Sequence, residues 1–369
     1  MKIKSSIHGL TPMLTPRQSG FTLIELMISM VLGLLLLASL VYVYTNSAQS
    51  FRAQSALALI QSNARYAFEI MGVDIRQTGF TGADTTPTNV VGTPSPTTLS
   101  TLIDLANPLV GYENTYPPNR NPSGCASACY RAGTDSLTVV RVDTENKYAV
   151  TAHTGTSPYT FTVSPWPTSN PPAAGEVFVA ADYTHAAIFQ AGTATSSPNV
   201  SYGAGGSPGN SSTTLGNFYG STPAAGTYVL ALYRLSGVSY YIGTNSAGEP
   251  ALYRDKLGQS SATMNSTAEE LIEGVEDMEV TYGVDTDATP DFAVNGYWTA
   301  TEVAAGTNGT LNIPGSTASD YWKRVLSVRI TLTLVSQQGE AVGTAGTTVD
   351  SRLLRKSFTN TIAIRNRLL

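Results

Sequence analysis

An α+β fold with one very long N-terminal helix is predicted by three features of this 369-residue chain. An uncharged apolar run from Leu26 to Tyr44 gives way to apolar residues spaced three and four apart as far as Ile75. Segments rich in alternating apolar residues then accumulate, the clearest running from Val325 to Val335. Long turn-rich stretches separate these segments, which suits a helix laid on antiparallel sheet with irregular loops.

The first helical half is long enough to cross a hydrocarbon core at about 1.5 Å per residue. Lys2, Lys4 and Arg17 precede it and the next basic residue is Arg52. The positive-inside tendency therefore leaves residues 1–20 in the cytoplasm and the large C-terminal part outside. A secretory signal carries its apolar region ahead of the cleavage site. Here residues 1–20 are polar and the apolar segment follows Gly20. A cut between Gly20 and Phe21 leaves a mature chain that begins with its hydrophobic helix. Beyond Tyr44, Leu57, Ile60, Ala64, Phe68, Met71 and Ile75 mark one face, and Arg52, Gln61, Arg65 and Glu69 take others. The glycines of Thr78-Gly79-Phe80-Thr81-Gly82 end the helix. The expected organisation is a leader (1–20), a membrane-spanning half (21–45), an amphipathic half (46–77) and a β-rich domain (78–369).

Residues from Ala83 to about Asp135 read as a long connection held by the loop between Cys125 and Cys129. Strands are expected at 137–142, 177–180, 228–235 and 278–282. Between them, 191–225 is rich in Gly, Ser, Thr, Pro and Asn and reads as a surface excursion. In Val325–Val335, Leu326, Val328, Ile330, Leu332 and Leu334 share one face, and Ser327, Arg329, Thr331 and Thr333 share the other. That alternation marks a sheet buried on one side. A last strand at 357–364 follows a Gly-rich connection and should pair antiparallel with it.

Composition narrows the function. Charged residues are 13% of the chain, against about 25% in ordinary soluble domains, which is unusual for a cytosolic enzyme. The formal charge of −5 gives no support for nucleic-acid binding. The three histidines, His8, His153 and His185, are scattered, and no phosphate-cradling glycine loop or nucleophile elbow is present. An enzyme is not expected. Cys125 and Cys129, close together outside the cytoplasm, read first as a local disulfide. Free thiols are the other reading; a metal site would need more ligands nearby, and redox catalysis favours a shorter spacing. Asp285, Asp287 and Asp291 offer oxygen ligands for calcium, or simply make a polar turn. No other cofactor is expected.

Glu25 also has two readings. Thr22-Leu23-Ile24-Glu25 fits a capping box, and a carboxylate favours a helix N-terminus. Alternatively, an anion at the membrane edge calls for a cation, since a charge at the bilayer centre costs roughly 3 kcal/mol. Cleavage after Gly20 would create one, the amine of Phe21.

Gly20-Phe21-Thr22-Leu23-Ile24-Glu25 ahead of the apolar run resembles the type IV prepilins and the pseudopilins of type II secretion. The resemblance implies cleavage at Gly20 by a membrane prepilin peptidase, N-methylation of Phe21, and pairing of Glu25 with a neighbour's N-terminus. The segment 273–287 (EGVEDMEVTYGVDTD), the strand from Trp322 and the ending at 359–369 are similar to those of PilW-like minor pilins. That likeness implies a pilin-like fold and a minor pilin of the type IV pilus that helps initiate the fibre and lies near its tip. It also implies partners: other minor pilins and the major pilin through the helix bundle, and the inner-membrane assembly platform. The expected location is the inner membrane with the C-terminal domain in the periplasm, then the pilus at the cell surface. Pseudopilin J of type II secretion is the alternative, as is a tip adhesin or DNA-uptake subunit. Relatives carry a more acidic, Gly-containing loop where Ala288-Thr289-Pro290 stands here.

Overall fold

The structure is a computed structural model. It describes residues 20–83, 86–94, 97–118, 129–154, 159–182, 185–203, 207–213, 215, 230–260, 263–336 and 353–367. The chain divides into two compact units, Met1–Gln54 and Ser55–Leu369. One helix, α1 (Leu23–Arg76), begins in the first and ends in the second.

In the first unit, α1 is long and apolar enough to cross a membrane. Its large apolar side chains from Phe21 to Phe51 are all exposed. Three hydroxyls in this stretch bond back to the helix itself. Ser29 donates to the Glu25 carbonyl at 2.7 Å, Ser39 to Leu36 at 2.8 Å and Thr45 to Tyr42 at 2.9 Å. Such back-bonding removes the cost of polar groups in hydrocarbon, where no water can satisfy them.

Among the described residues the second unit holds fifteen strands in two sheets. In chain order they are β1 (Thr88–Asn89), β2 (Leu109–Tyr112), β3 (Cys129–Tyr130), β4 (Ser136–Thr154) and β5 (Thr160–Val163). Then come β6 (Val177–Ala181), β7 (Ala186–Gln190), β8 (Asn199–Ser201), β9 (Ala231–Thr244) and β10 (Pro250–Ser260). The last are β11 (Thr263–Glu273), β12 (Val275–Val284), β13 (Gly296–Trp298), β14 (Val325–Val335) and β15 (Arg355–Ala363). Two short helices, α2 (Ala300–Ala305) and α3 (Ala318–Lys323), lie between β13 and β14. The eleven-stranded sheet runs β1-β7-β6-β9-β4-β5-β8, with β2 on β4 and with β3 and β10 on β9; β11 extends β10. All its pairings are antiparallel except β1 with β7. The four-stranded sheet is antiparallel in the order β13-β12-β14-β15.

β14 has the predicted ends, and its alternation is realised: Val328, Ile330, Leu332 and Leu334 are buried, while Arg329, Thr331 and Thr333 face outward. Ser357, Thr359 and Thr361 of β15 stand opposite Thr333, Thr331 and Arg329, so the final antiparallel pairing is also as expected. On the outer face, hydroxyl pairs Thr331–Thr359 and Thr333–Ser357, each at 2.9 Å, tie the two strands.

The amphipathic half of α1 packs on both sheets. Ile60, Ala64, Ala67, Met71 and Ile75 share one core cluster with Leu137, Val139, Val238 and Tyr240 of the larger sheet and Val280, Tyr282, Val328 and Ile330 of the smaller. Full burial of each large apolar side chain contributes about 1.5–3 kcal/mol. The inner line differs from the predicted stripe at two places. Ala56 and Ala67 are fully buried, whereas Leu57 and Phe68 are half-buried. Small residues let the strands approach the helix axis, and the larger neighbours are turned aside by about 100°. Gly79, at φ 74°, ends the helix region as predicted, its N–H donating to the Val140 carbonyl at 2.9 Å.

The stretch between α1 and β4 is more than a connection. A 3-10 helix (Thr97–Ile103) buries Leu99, Leu102 and Ile103 against Val140, Val142, Val179 and Ile188. A Cβ on Gly237 would lie 2.0 Å from the Leu102 carbonyl oxygen, so this close approach requires glycine. The excursion expected at 191–225 is partly core. Ala191, Val200, Tyr202 and Leu215 join Phe161, Phe178 and Phe189 in a second, aromatic cluster. Its residues 204–206, 214 and 216–225 lie outside the described residues.

One charge sits on the inner face of α1. Asp74 is 3% exposed. Arg141 donates to its Oδ1 through Nε at 2.9 Å and Nη2 at 2.8 Å, and the Tyr240 hydroxyl donates to Oδ2 at 2.6 Å. Burial, then the neighbouring Asp74 carboxylate, holds the Tyr240 hydroxyl well above its usual pKa, so it stays a donor. Removing one partner of a buried pair costs about 3–5 kcal/mol. Asp74→Ala should therefore lower stability by about that much, and Asp74→Asn, which can still accept one bond, by clearly less. Urea unfolding of both variants in detergent checks this; equal and small losses would remove the role assigned to the pair.

Candidate processing and assembly site

Gly20, Phe21 and Thr22 precede the first helical turn without regular structure, and all three are exposed. A Cβ built on Gly20 would meet nothing within 4 Å, so the Gly20–Phe21 bond is open on its described side. A protease cleft takes chain drawn out of a helix, and the Gly20–Phe21 bond lies outside α1. Of the expected leader (1–20), residues 1–19 lie outside the described residues.

Glu25 occupies the first turn of α1. Its N–H donates to the Thr22 hydroxyl at 3.4 Å, and the Leu26 N–H donates to the Thr22 carbonyl at 3.1 Å. The Thr22 hydroxyl also lies 3.5 Å from Glu25 Oε2, a distance at which a hydrogen bond adds little. Thr22 therefore caps the helix while the Glu25 carboxylate keeps most of its accepting capacity. Among the described residues no cation is paired with it. An anion so placed, beside Phe21, Leu23 and Leu26 and exposed like them, can receive an ammonium from another chain.

The remaining sequence candidates fall elsewhere. Cys129 begins β3, pairs across to Thr244 of β9 and is disulfide-bonded; Cys125 lies outside the described residues. Asp285, Asp287 and Asp291 follow β12 and bring one carboxylate oxygen each to within 4.8 Å of the others. Asp287 N–H donates to Asp285 Oδ1 at 2.9 Å, and Ala293 N–H to Asp291 Oδ1 at 2.8 Å. The donor set suits a hard cation such as calcium. Sequence reasoning missed Arg324, whose Nη1 lies 3.7 Å from Asp285 Oδ2 and 3.3 Å from the Asp287 carbonyl. It already supplies positive charge to Asp285, the most buried of the three at 1% exposed. No local signal in the sequence links Arg324 to this loop.

Two further contacts join the sheets and were not legible in the chain. Asp135, ahead of β4, accepts from Asn114 N–H at 2.9 Å and from Val280 N–H of β12 at 2.8 Å. Burial raises its carboxyl above the usual range despite those two donors. Glu276 of β12 pairs with Arg355 of β15 at 2.7 Å and with Arg131 at 3.5 Å.

The apolar helix, the exposed Gly20–Phe21 bond and Glu25 in the first turn of α1 have the arrangement expected of the type IV pilin class. A prokaryotic N-terminal methylation motif matches residues 15–41, spanning these features. The family of Type IV Pilus-assembly protein W matches residues 239–366, from β9 through β15. Together the two matches support a PilW-like type IV pilin. The motif and the helix fit inner-membrane anchoring and a place in the pilus. No curated protein and no solved structure matches the chain.

Arg324→Met should leave Asp285 buried without its counter-charge and cost about 1–3 kcal/mol. A shift of the urea midpoint checks this, and an unchanged midpoint would show that the loop does not depend on the pair.

Proposed function

We propose that this pilin is a minor subunit, cut between Gly20 and Phe21 and N-methylated at Phe21, that helps initiate the type IV pilus and lies near its tip. The carrying observation is the combination at the foot of α1: an exposed Gly20–Phe21 bond followed by Glu25 on a helix whose apolar surface the chain leaves uncovered. The mechanism is physical. Removal of the basic leader lets the helix leave the bilayer, because charges at its cytoplasmic end no longer have to cross hydrocarbon. The apolar surface is then buried again against the helices of other pilins, and Glu25 takes the amine of a neighbouring first residue. Processing calls for the prepilin peptidase, and extraction for the inner-membrane assembly platform. The PilW family match over 239–366 supports a pilus over a secretion pseudopilus.

The test is mass analysis of this protein from sheared pili and from inner membranes. A species beginning at methylated Phe21 in the pilus fraction is expected; a chain still beginning at Met1 in cells with active peptidase would overturn the reading. Glu25→Ala should be cleaved normally yet enter the fibre about tenfold less, the equivalent of one charge-assisted bond. Normal incorporation of Glu25→Ala would remove that role. Deleting the gene should sharply reduce the number of fibres per cell while leaving their length unchanged, as loss of an initiator does.

A further inference from the structure

A cleft of about 320 Å³ opens between the β1 side of the larger sheet and the 3-10 helix. One wall is drawn from residues 89–94 and the other from residues 100–104. Both walls are held from behind. Val91 bridges to Asn210, and the Gly92 N–H donates to the Gly209 carbonyl at 2.9 Å. On the other side Leu99, Leu102 and Ile103 anchor the 3-10 helix in the core beside Val140 and Val179. The cleft is therefore pre-formed, and a ligand enters it without the entropic cost of ordering the chain.

Its polar groups are of both kinds, donor and acceptor. Asn89 Oδ1 accepts from the Val91 N–H at 3.0 Å, which fixes the amide and leaves its Nδ2 to donate. Asp104 Oδ1 accepts from the Ala106 and Asn107 N–H groups at 2.9 and 3.1 Å, and Oδ2 from Asn107 Nδ2 at 2.8 Å. Three donors thus hold the carboxylate still, and Oδ2 keeps a lone pair for a further one. Thr93 and Ser100, both exposed, add hydroxyls from opposite walls. Pro94 and Ile103 supply apolar surface between these groups, and no basic or aromatic residue lines the cleft.

We propose that this cleft binds a neutral saccharide of about one or two rings, a size that suits the small end of ligand sites. A sugar hydroxyl both donates and accepts, and so uses an amide, a carboxylate and hydroxyls together. The C–H face of the ring meets the apolar surface at Pro94 and Ile103. Other ligand classes fit less well. An anion would find Asp104 and no cation; an apolar ligand would strip water from the polar walls without replacing its bonds. A peptide adding to the sheet edge would find only the two residues of β1 to pair with. The inference is independent of the pilin reading, since neither family match reaches residues 89–104. Where that reading holds as well, the cleft gives the fibre a contact for surface glycan.

The experiment is saturation-transfer NMR on the full chain in a zwitterionic detergent, which itself carries no sugar. The probes are methyl glycosides of glucose, galactose, mannose, fucose and N-acetylglucosamine at ~10 mM, enough to detect a millimolar Kd. Transfer to at least one glycoside is expected. Ser100→Phe and, from the opposite wall, Thr93→Phe should each fill the cleft and abolish it. Both sites are exposed, so an unchanged thermal midpoint should accompany the loss. Asp104→Asn should weaken binding about tenfold, the equivalent of one charge-assisted bond. No transfer to any glycoside, or equal transfer in the two filled variants, would overturn the proposal. So would a preference for anionic N-acetylneuraminic acid, or for protonated glucosamine over N-acetylglucosamine.

Discussion

A helix whose first half is apolar on every side must find cover from something outside its own chain. The large apolar side chains from Phe21 to Phe51 are all exposed in the folded protein. Water is the one environment this surface cannot occupy at length, since each large side chain left exposed forfeits about 1.5–3 kcal/mol. Bilayer and helix bundle are the two covers available, and they are nearly equal in polarity. That near-equality is what lets one segment serve first as an anchor and then as a structural core, with packing and ion pairs deciding between them. In the proposed assembly Glu25 would tilt the comparison, because an unpaired carboxylate is tolerated only at the edge of the bilayer, whereas a neighbour's amine would satisfy it in a bundle.

The second half of the same helix meets the opposite demand. Its inner line of Ile60, Ala64, Ala67, Met71 and Ile75 is covered by strands from both sheets. Alanines at two of these positions bring the strands close, and Asp74 then fixes rotation through Arg141 and Tyr240. A purely apolar stripe could slide or turn by a fraction of a helical step at little cost. A buried carboxylate with three defined donors cannot, because any slip leaves charge unpaired in the interior. Clamping the helix angle in this way also fixes which side chains stay outside, and therefore where a neighbouring chain can touch it.

Much of this was legible in the chain, and the reasons for the gaps are physical. The helix, β12, β14 and β15 announce themselves because each carries a sustained period, and β14 ends where its alternation ends. β10 and β11 were missed. β11 is paired on one side only, so its residues (Thr263–Glu273) carry edge-strand polarity instead of an apolar face. The aromatic cluster escaped because Phe161, Phe178, Phe189 and Tyr202 come one at a time from short strands in Ser/Thr/Pro-rich surroundings. The N-terminal methylation motif, by contrast, was readable in full, since it is a linear segment that needs no fold. Arg324 beside Asp285 and Val280 beside Asp135 depend on distant segments meeting, and no spacing rule exposes them.

Asp74 shows where reading could have gone further. A carboxylate one residue before Ile75, on a helix face otherwise lined by Ile and Ala, breaks the pattern that predicts the helix. Such a break is either a misassigned face or a paired charge. A paired charge requires a basic partner on a strand, and Arg141 is the cation of LTVVRV, the first of the expected strands.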